Sequence, residues 1–234
     1  MKKLVCFDLD GTLTRHRTKL DDKNRAVLEK LAKKYKLLMV GAGTARRIYD
    51  QLDQFPIDIL GNFGMEEAHI VDGEFKMIRE DKAYPDQAFF KEQIAILREK
   101  YGHTNYKGDS VEFHPCGMVT VPMLGTGADI EDKLVFDPDR KKRRAMYDEV
   151  KEIFSDYAVY IGGSSSFDFI DRKYNKYEAT MRYAEEHGIK KEEIVFVGDD
   201  FEDGGGDSHV RIFGMDYINI DDYRNLEEKV KHLF

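Results

Sequence analysis

The apolar positions at the start of the chain come in short continuous runs. Leu4-Val5-Cys6-Phe7 and Leu37-Leu38-Met39-Val40 read as strands buried on both faces. Between them Val27, Leu28, Leu31 and Tyr35 recur at helical spacing, with Asp21 or Asp22 available as cap. Thr44, after Gly41-Ala42-Gly43, can cap a second helix that turns Ile48 and Leu52 inward, and Ile57-Asp58-Ile59-Leu60 makes a third strand. This βαβαβ rhythm predicts a parallel, helix-covered sheet with right-handed crossovers. Next, His69-Ile70-Val71 and Phe75-Lys76-Met77-Ile78 flank Asp72-Gly73, a two-residue hairpin signal.

The rhythm then changes. Pro85-Asp86 opens a helix with Phe90, Ile94, Leu97 and Tyr101 at helical spacing, and short strands at 111–113 and 118–121 surround a Pro-Cys-Gly turn. Asp137-Pro138 starts another predicted helix, Asp as cap and Pro in the first turn, with Tyr147, Val150 and Phe154 inward. Strands at 157–161 and 167–170 flank Gly162-Gly163-Ser164-Ser165. Strands grouped together with helices set apart describe an α+β unit inserted into an α/β one. From about Lys176 the first rhythm resumes, with a helix ending at His187-Gly188, strand Ile194-Val195-Phe196-Val197, a last strand at 217–220 and a helix bearing Leu226, Val230 and Leu233. The expected division is a core at 1–82 and 173–234, split by an inserted domain at 83–172.

Composition narrows the function classes. The chain has 234 residues, 41% hydrophobic and 35% charged, which fits a globular protein with a sizeable core. No apolar run approaches the roughly 18 residues of a membrane span, and no signal-peptide pattern opens the sequence, so the expectation is a cytoplasmic protein with no membrane partner. Its net charge of −8 argues against nucleic acid as partner. Two cysteines, Cys6 and Cys116, define neither a disulfide framework nor a zinc site.

Candidate chemistry begins where the first strand ends. Asp8 and Asp10 are two apart, so on an extended backbone they share a side, and Gly11 permits a sharp turn after them. Two carboxylates at the carboxyl end of an interior strand sit where open α/β sheets place ligands, and like charges there call for a cation or a shared proton. Phe7-Asp8-Leu9-Asp10-Gly11-Thr12-Leu13 resembles the first signature of the haloacid dehalogenase (HAD) superfamily, most of whose members transfer phosphoryl groups. The resemblance implies a Rossmann-like parallel-sheet α/β core with an inserted α+β cap. It makes Asp8 the nucleophile and Asp10 the general acid/base. Val197-Gly198-Asp199-Asp200 followed by Gly204-Gly205-Gly206-Asp207 resembles the fourth signature, and Lys176 the third, a lysine that steadies the phosphoenzyme. The implied cofactor is Mg²⁺, held by Asp8, the backbone carbonyl of Asp10 and Asp199, with Asp207 ligating or orienting its waters. The second signature calls for a hydroxyl at the end of the second strand, where Thr44 is the available one. Backbone N–H groups at the helix start could also hold phosphate oxygens.

Taken whole, the chain resembles the eukaryotic-type phosphomannomutases and their prokaryotic relatives in the type IIB-capped branch, on residues 7–14, Asn62-Phe63-Gly64, Val111-Glu112-Phe113, Gly117-Met118, 161–168 and 204–207. In that family a sugar phosphate lies between core and cap. The resemblance assigns sugar contacts to Arg17, Ser166 and Asp168 and leaves room for a homodimer through the cap. The family's cap arginines, which hold a second phosphate, correspond here to His114, Thr126 and Lys133. Arginine's bidentate fork is not reproduced by these side chains. The sequence therefore favours a Mg²⁺-dependent phosphatase of small phosphorylated sugars or related metabolites, with a hexose-phosphate mutase interconverting mannose 6-phosphate and mannose 1-phosphate as the alternative. A basic run, Arg140-Lys141-Lys142-Arg143-Arg144, reads as a solvated helix face or an anion guide.

Overall fold

The computed structural model describes residues 1–234. The chain runs β1 (Leu4–Phe7), α1 (Asp22–Ala32), β2 (Lys36–Val40), α2 (Ala45–Gln51), β3 (Asp58–Gly61), β4 (Glu66–Val71) and β5 (Glu74–Glu80). It continues with α3 (Gln87–Tyr101), β6 (Glu112–Phe113), β7 (Val119–Pro122), α4 (Ile130–Phe136), α5 (Lys141–Ile153), β8 (Tyr157–Tyr160) and β9 (Ser166–Asp171). It closes with α6 (Lys176–Glu186), β10 (Ile194–Gly198), α7 (Ser208–Ile212), β11 (Tyr217–Asn219) and α8 (Leu226–Val230). Contacts divide it into two compact units, Met1–Asp81 with Tyr174–Phe234, and Lys82–Lys173.

The first unit is built on a seven-stranded sheet in the order β11-β10-β1-β2-β3-β4-β5. β1 pairs in parallel with β10 on one side and β2 on the other, Val5 opposite both Val195 and Leu37. All four β1 side chains are fully buried, which is why its sequence shows an unbroken apolar run instead of alternation. Successive strands leave β1 toward β2 and β3, whereas β10 and β11 lie on its other flank. The crevice at the carboxyl ends of β1 and β10 is thus the topological switch point of the sheet. The hairpin at Asp72-Gly73 forms with both residues at positive φ, as its turn type requires. β4 runs antiparallel to β3 and extends the parallel sheet as an edge ribbon, a detail that the βαβαβ rhythm alone leaves out.

The second unit is a four-stranded antiparallel sheet, β6-β7-β9-β8. Phe90, Ile94 and Leu97 of α3 and Met146, Tyr147 and Val150 of α5 bury its apolar face. Asp137 does not start a helix as its Asp-Pro sequence suggested. It ends α4, and α5 begins at Lys141 after Arg140 in the left-handed region. The Asp137 carboxylate nevertheless reaches forward to accept from the amides of Lys142 and Arg143, so it serves the helix start from further away. The basic run also needs correction. The Arg143 side chain is 1% exposed, ion-paired to Asp137 at 2.9 Å, and donates to the carbonyls of Gly162, Ser164 and Ser166. Arg143 is the internal clamp of the 162–166 loop, not part of a solvated face. α4 buries none of its residues and shows Ile130, Leu134 and Val135 on the surface.

Candidate active site

At the switch point three carboxylates meet. One ligand atom from each of Asp8, Asp199 and Asp207 lies within 4.8 Å of the others, with Asp8 and Asp207 buried. Asp8 follows β1, its amide donating to the Val197 carbonyl at 2.9 Å, and Asp199 follows β10, so parallel pairing of the two strands sets their spacing. Gly11 is required here. Its φ is +98°, and a Cβ would stand 2.3 Å from Asp199 Oδ2. The Thr12 hydroxyl lies 3.2 Å from Asp199 Oδ1 and 3.5 Å from Asp8 Oδ2.

One cation answers the three charges. Lys176, 3% exposed at the start of α6, donates to Asp8 Oδ1 at 2.5 Å and to Asp207 Oδ1 at 2.7 Å. Burial alone would pull its ammonium down, but Asp207 and Asp8 outweigh burial and raise it. Burial pushes the Asp8 carboxyl up to about 6 against the pull of Lys176. Burial again, with the charges of Asp8 and Asp207, pushes Asp199 to about 8. Three desolvated carboxylates against one ammonium leave an acid excess, and an oxygen-preferring divalent cation fits this donor set. Asp207 is already engaged on both sides, since Oδ2 accepts from the amides of Asp199 and Asp200 at 3.2 and 3.1 Å. It therefore fixes Lys176 and the Asp199 loop, and Asp8 and Asp199 keep the freer oxygens.

Asp10 lies outside that group. The chain has left the strand by Asp8, so the two-residue period no longer governs it. Its carboxylate accepts from the Arg17 amide at 2.6 Å and from Gln51 Nε2 at 2.7 Å, with Arg47 at 3.4 Å. Burial would raise Asp10, but these donors and the Arg47 charge hold it below the ordinary carboxylate value, so it rests ionised. Arg17 contributes its backbone amide here, from a left-handed φ of 56°. Gln51 is in turn braced by Thr14 and Arg47. Neither Gln51 nor Arg47 stands out in the sequence; only their position one turn apart on α2 would have signalled a shared face.

The second-signature slot is arranged differently from expectation. The Thr44 hydroxyl caps α2 by accepting from the Arg47 amide at 3.3 Å. The Ala45 amide is taken by the buried Glu66 carboxylate at 2.6 Å. Two of the helix-start amides, those of Ala45 and Arg47, are thus taken by the protein's own groups. The side group beside Gly43 is the Arg47 guanidinium.

In the cap unit, His114 Nε2 lies 2.9 Å from Thr120 Oγ1, which donates to Asp168 Oδ1 at 2.8 Å. Ser166 donates to the Gly162 carbonyl at 3.1 Å. Lys133 Nζ is held by the Thr126 carbonyl, and the Thr126 hydroxyl accepts from the Asp109 amide. The three positions that stand where the family carries arginines are thus tied within the cap itself.

Comparison with solved structures defines the class. A haloacid dehalogenase-like hydrolase from B. subtilis superposes with a TM-score of 0.64 at 14% identity, covering 99% of this chain and all of the other. A sugar phosphatase of HAD subclass IIB gives 0.62 at 16% identity, covering 99% and 98%. The fold is the HAD core with an inserted cap. The family follows from sequence: the profile of eukaryotic phosphomannomutase matches residues 24–217, and the chain belongs to that family. Among curated relatives, the Schizosaccharomyces pombe phosphomannomutase is 29% identical over 94% of this chain and 91% of its own length. The Encephalitozoon cuniculi phosphomannomutase is 24% identical over 99% and 95%.

Proposed function

We propose that the chain transfers a phosphoryl group through an aspartyl phosphate on Asp8, as a hexose-phosphate mutase that interconverts mannose 6-phosphate and mannose 1-phosphate. The observation that carries the chemistry is Asp8 at the switch point with one oxygen held by Lys176. The other oxygen is thereby left to attack phosphorus. Relatives named phosphomannomutase along nearly the whole chain support the mutase over the hydrolase that the cap residues suggested.

In the first half-reaction Asp8 Oδ2 forms a bond to a phosphorus of a hexose bisphosphate as the bond to the sugar oxygen breaks. Asp10 delivers a proton to that oxygen, releasing a hexose monophosphate. In the second half, a hydroxyl of the isomeric monophosphate attacks the aspartyl phosphate and gives its proton to Asp10, which restores free Asp8 and the hexose bisphosphate. Asp10, resting ionised, is set for the second half. Positioned acid/base help of this kind is worth roughly 10²–10⁴-fold. Lys176 spreads the charge on Asp8, and Asp207 keeps Lys176 in place. Mg²⁺ held by Asp8, Asp199 and the Asp10 carbonyl would supply charge neutralisation on the transferring phosphoryl group. Ser166, Asp168 and Arg17, the last just past the nucleophile loop in sequence, are retained as the sugar contacts that the resemblance assigns.

A second reading, a sugar-phosphate phosphatase, is favoured by the internal engagement of His114, Thr126 and Lys133. Purified protein given mannose 1-phosphate with Mg²⁺ and a catalytic amount of hexose bisphosphate decides between them. Appearance of mannose 6-phosphate supports the mutase. Release of inorganic phosphate without interconversion replaces it with the phosphatase, and no reaction with any sugar phosphate removes both.

A further inference from the structure

Strand register places Glu112, Thr120, Asp168 and Tyr160 as successive neighbours across the cap sheet, so the four project from one face. The other face carries Val119, Val121, Phe167 and Phe169, all buried against the helices. On the first face a hydrogen-bond chain crosses from β6 to β9. A hydroxyl has one proton to give, and Thr120 gives it to the Asp168 carboxylate at 2.8 Å. The contact between His114 Nε2 and the same Thr120 oxygen, at 2.9 Å, must then have His114 as donor, with its proton on Nε2. Thr120 is thus the link through which His114 acts on Asp168.

This chain has two consequences for a ligand. Asp168 has its Oδ1 committed, while Oδ2 receives no bond from the protein and lies over Gly162, where a Cβ would approach to 1.8 Å. A desolvated carboxylate oxygen without a cation on it accepts from hydroxyl groups and repels anions. His114 spends its Nε2 proton on Thr120 and so braces that bond, leaving Asp168 as the acceptor offered to a ligand. We propose that Thr120, by coupling His114 to Asp168, is a specificity-determining residue that turns this face toward a sugar hydroxyl. The inference rests on the sugar-phosphate reading above.

The test compares wild type with Thr120→Val, which keeps the shape and removes both bonds, and Thr120→Ser, which restores them. Substrates are mannose and glucose phosphates, a set of their monodeoxy analogues, and p-nitrophenyl phosphate. In Thr120→Val, KM for the sugar phosphate is expected to rise at least tenfold, by more than kcat falls. Its preference for sugar phosphate over p-nitrophenyl phosphate should fall by a similar factor. Wild type should lose that factor on one monodeoxy analogue, Thr120→Val should not distinguish that analogue from the parent sugar, and Thr120→Ser should return to within about threefold of wild type. Unchanged KM and preference in Thr120→Val overturn the inference while leaving the proposed function standing. Wild type that turns over p-nitrophenyl phosphate but no sugar phosphate removes both. If Thr120→Val does not fold, His114→Phe poses the same question with Thr120 intact. A several-fold higher sugar-phosphate KM supports the coupling, and an unchanged one overturns it.

Discussion

Arg47 occupies the space that a side chain at Gly43 would need: a Cβ there would stand 2.1 Å from its Nη2 and 2.4 Å from its Nε. The resemblance calls for a hydroxyl at the end of this strand; the Thr44 hydroxyl caps α2, and beside Gly43 a guanidinium that also reaches Asp10 fills the space. A planar fork with several donors is well suited to phosphoryl oxygens. Arg47→Ala is expected to lower kcat/KM for a sugar phosphate by about 10–100-fold, the range of one or two charge-assisted hydrogen bonds. In Gly43→Ser the arginine must move aside, and the double variant Gly43→Ser with Arg47→Ala should regain part of the loss because a hydroxyl returns. Steady-state kinetics of the three variants check this, and no loss in Arg47→Ala rejects the substitution of one donor for the other.

Asp8→Asn should abolish turnover, a fall of more than about 10⁴-fold, with the fold retained. Acid-quenched wild-type protein should carry covalent phosphate and the variant none. Residual turnover near wild type would dismiss Asp8 as nucleophile.

The raised carboxyls give the metal-free protein a characteristic pH response. Asp8 and Asp199 hold protons to about 6 and about 8 when folded, against an ordinary 3.8. The folded state therefore binds more protons than the unfolded one between about pH 4 and 8, and stability falls as pH rises through that window. Lys176, raised rather than lowered, titrates above the window, and Asp10, lowered, below it. Melting temperatures without metal should decline from pH 5 to pH 8, with a shallower decline in Asp199→Asn. Millimolar Mg²⁺ should stabilise most at the upper end, where the ligands are already deprotonated. Equal slopes for wild type and Asp199→Asn would discard this account.

Arg143→Met should cost about 3 kcal/mol or more, since it leaves Asp137 buried without its partner and frees the carbonyls of the 162–166 loop. Denaturant unfolding measures the loss. Arg143→Met combined with Asp137→Asn should recover part of it, because the stranded charge is gone.

The fold was legible wherever burial was two-sided or turn chemistry was strong. β1 and β10 announced themselves by unbroken apolar runs, and the β4–β5 hairpin by Asp72-Gly73. Asp8 was legible because it directly follows the β1 run. Lys176, Asp199 and Asp207 were legible through their resemblance to the haloacid dehalogenase signatures, and the paired strands set the meeting point of Asp8 and Asp199. Arg143 was misread since charge patterning registers a cation's sequence neighbours, not the Asp137 carboxylate and loop carbonyls that enclose it. The Asp137 helix start was misplaced because Asp137 caps α5 across an intervening turn, beyond the reach of the usual local motif. Thr120 escaped notice altogether: a lone threonine in a strand gains meaning only from register, which brings Asp168 beside it from 48 positions away.

Asp8 and Asp199 follow β1 and β10, strands that pair Leu4 with Ile194 across most of the sequence. During synthesis β1 therefore keeps one edge unpaired until residues 194–198 have emerged. In that interval the nascent protein bears a wholly apolar strand with an unpaired edge, a template for misassembly. It also has Asp8 with neither Lys176 nor Asp199 beside it until those residues are made. Chains that stop before β10 are thus expected to lack this site and to expose that strand edge.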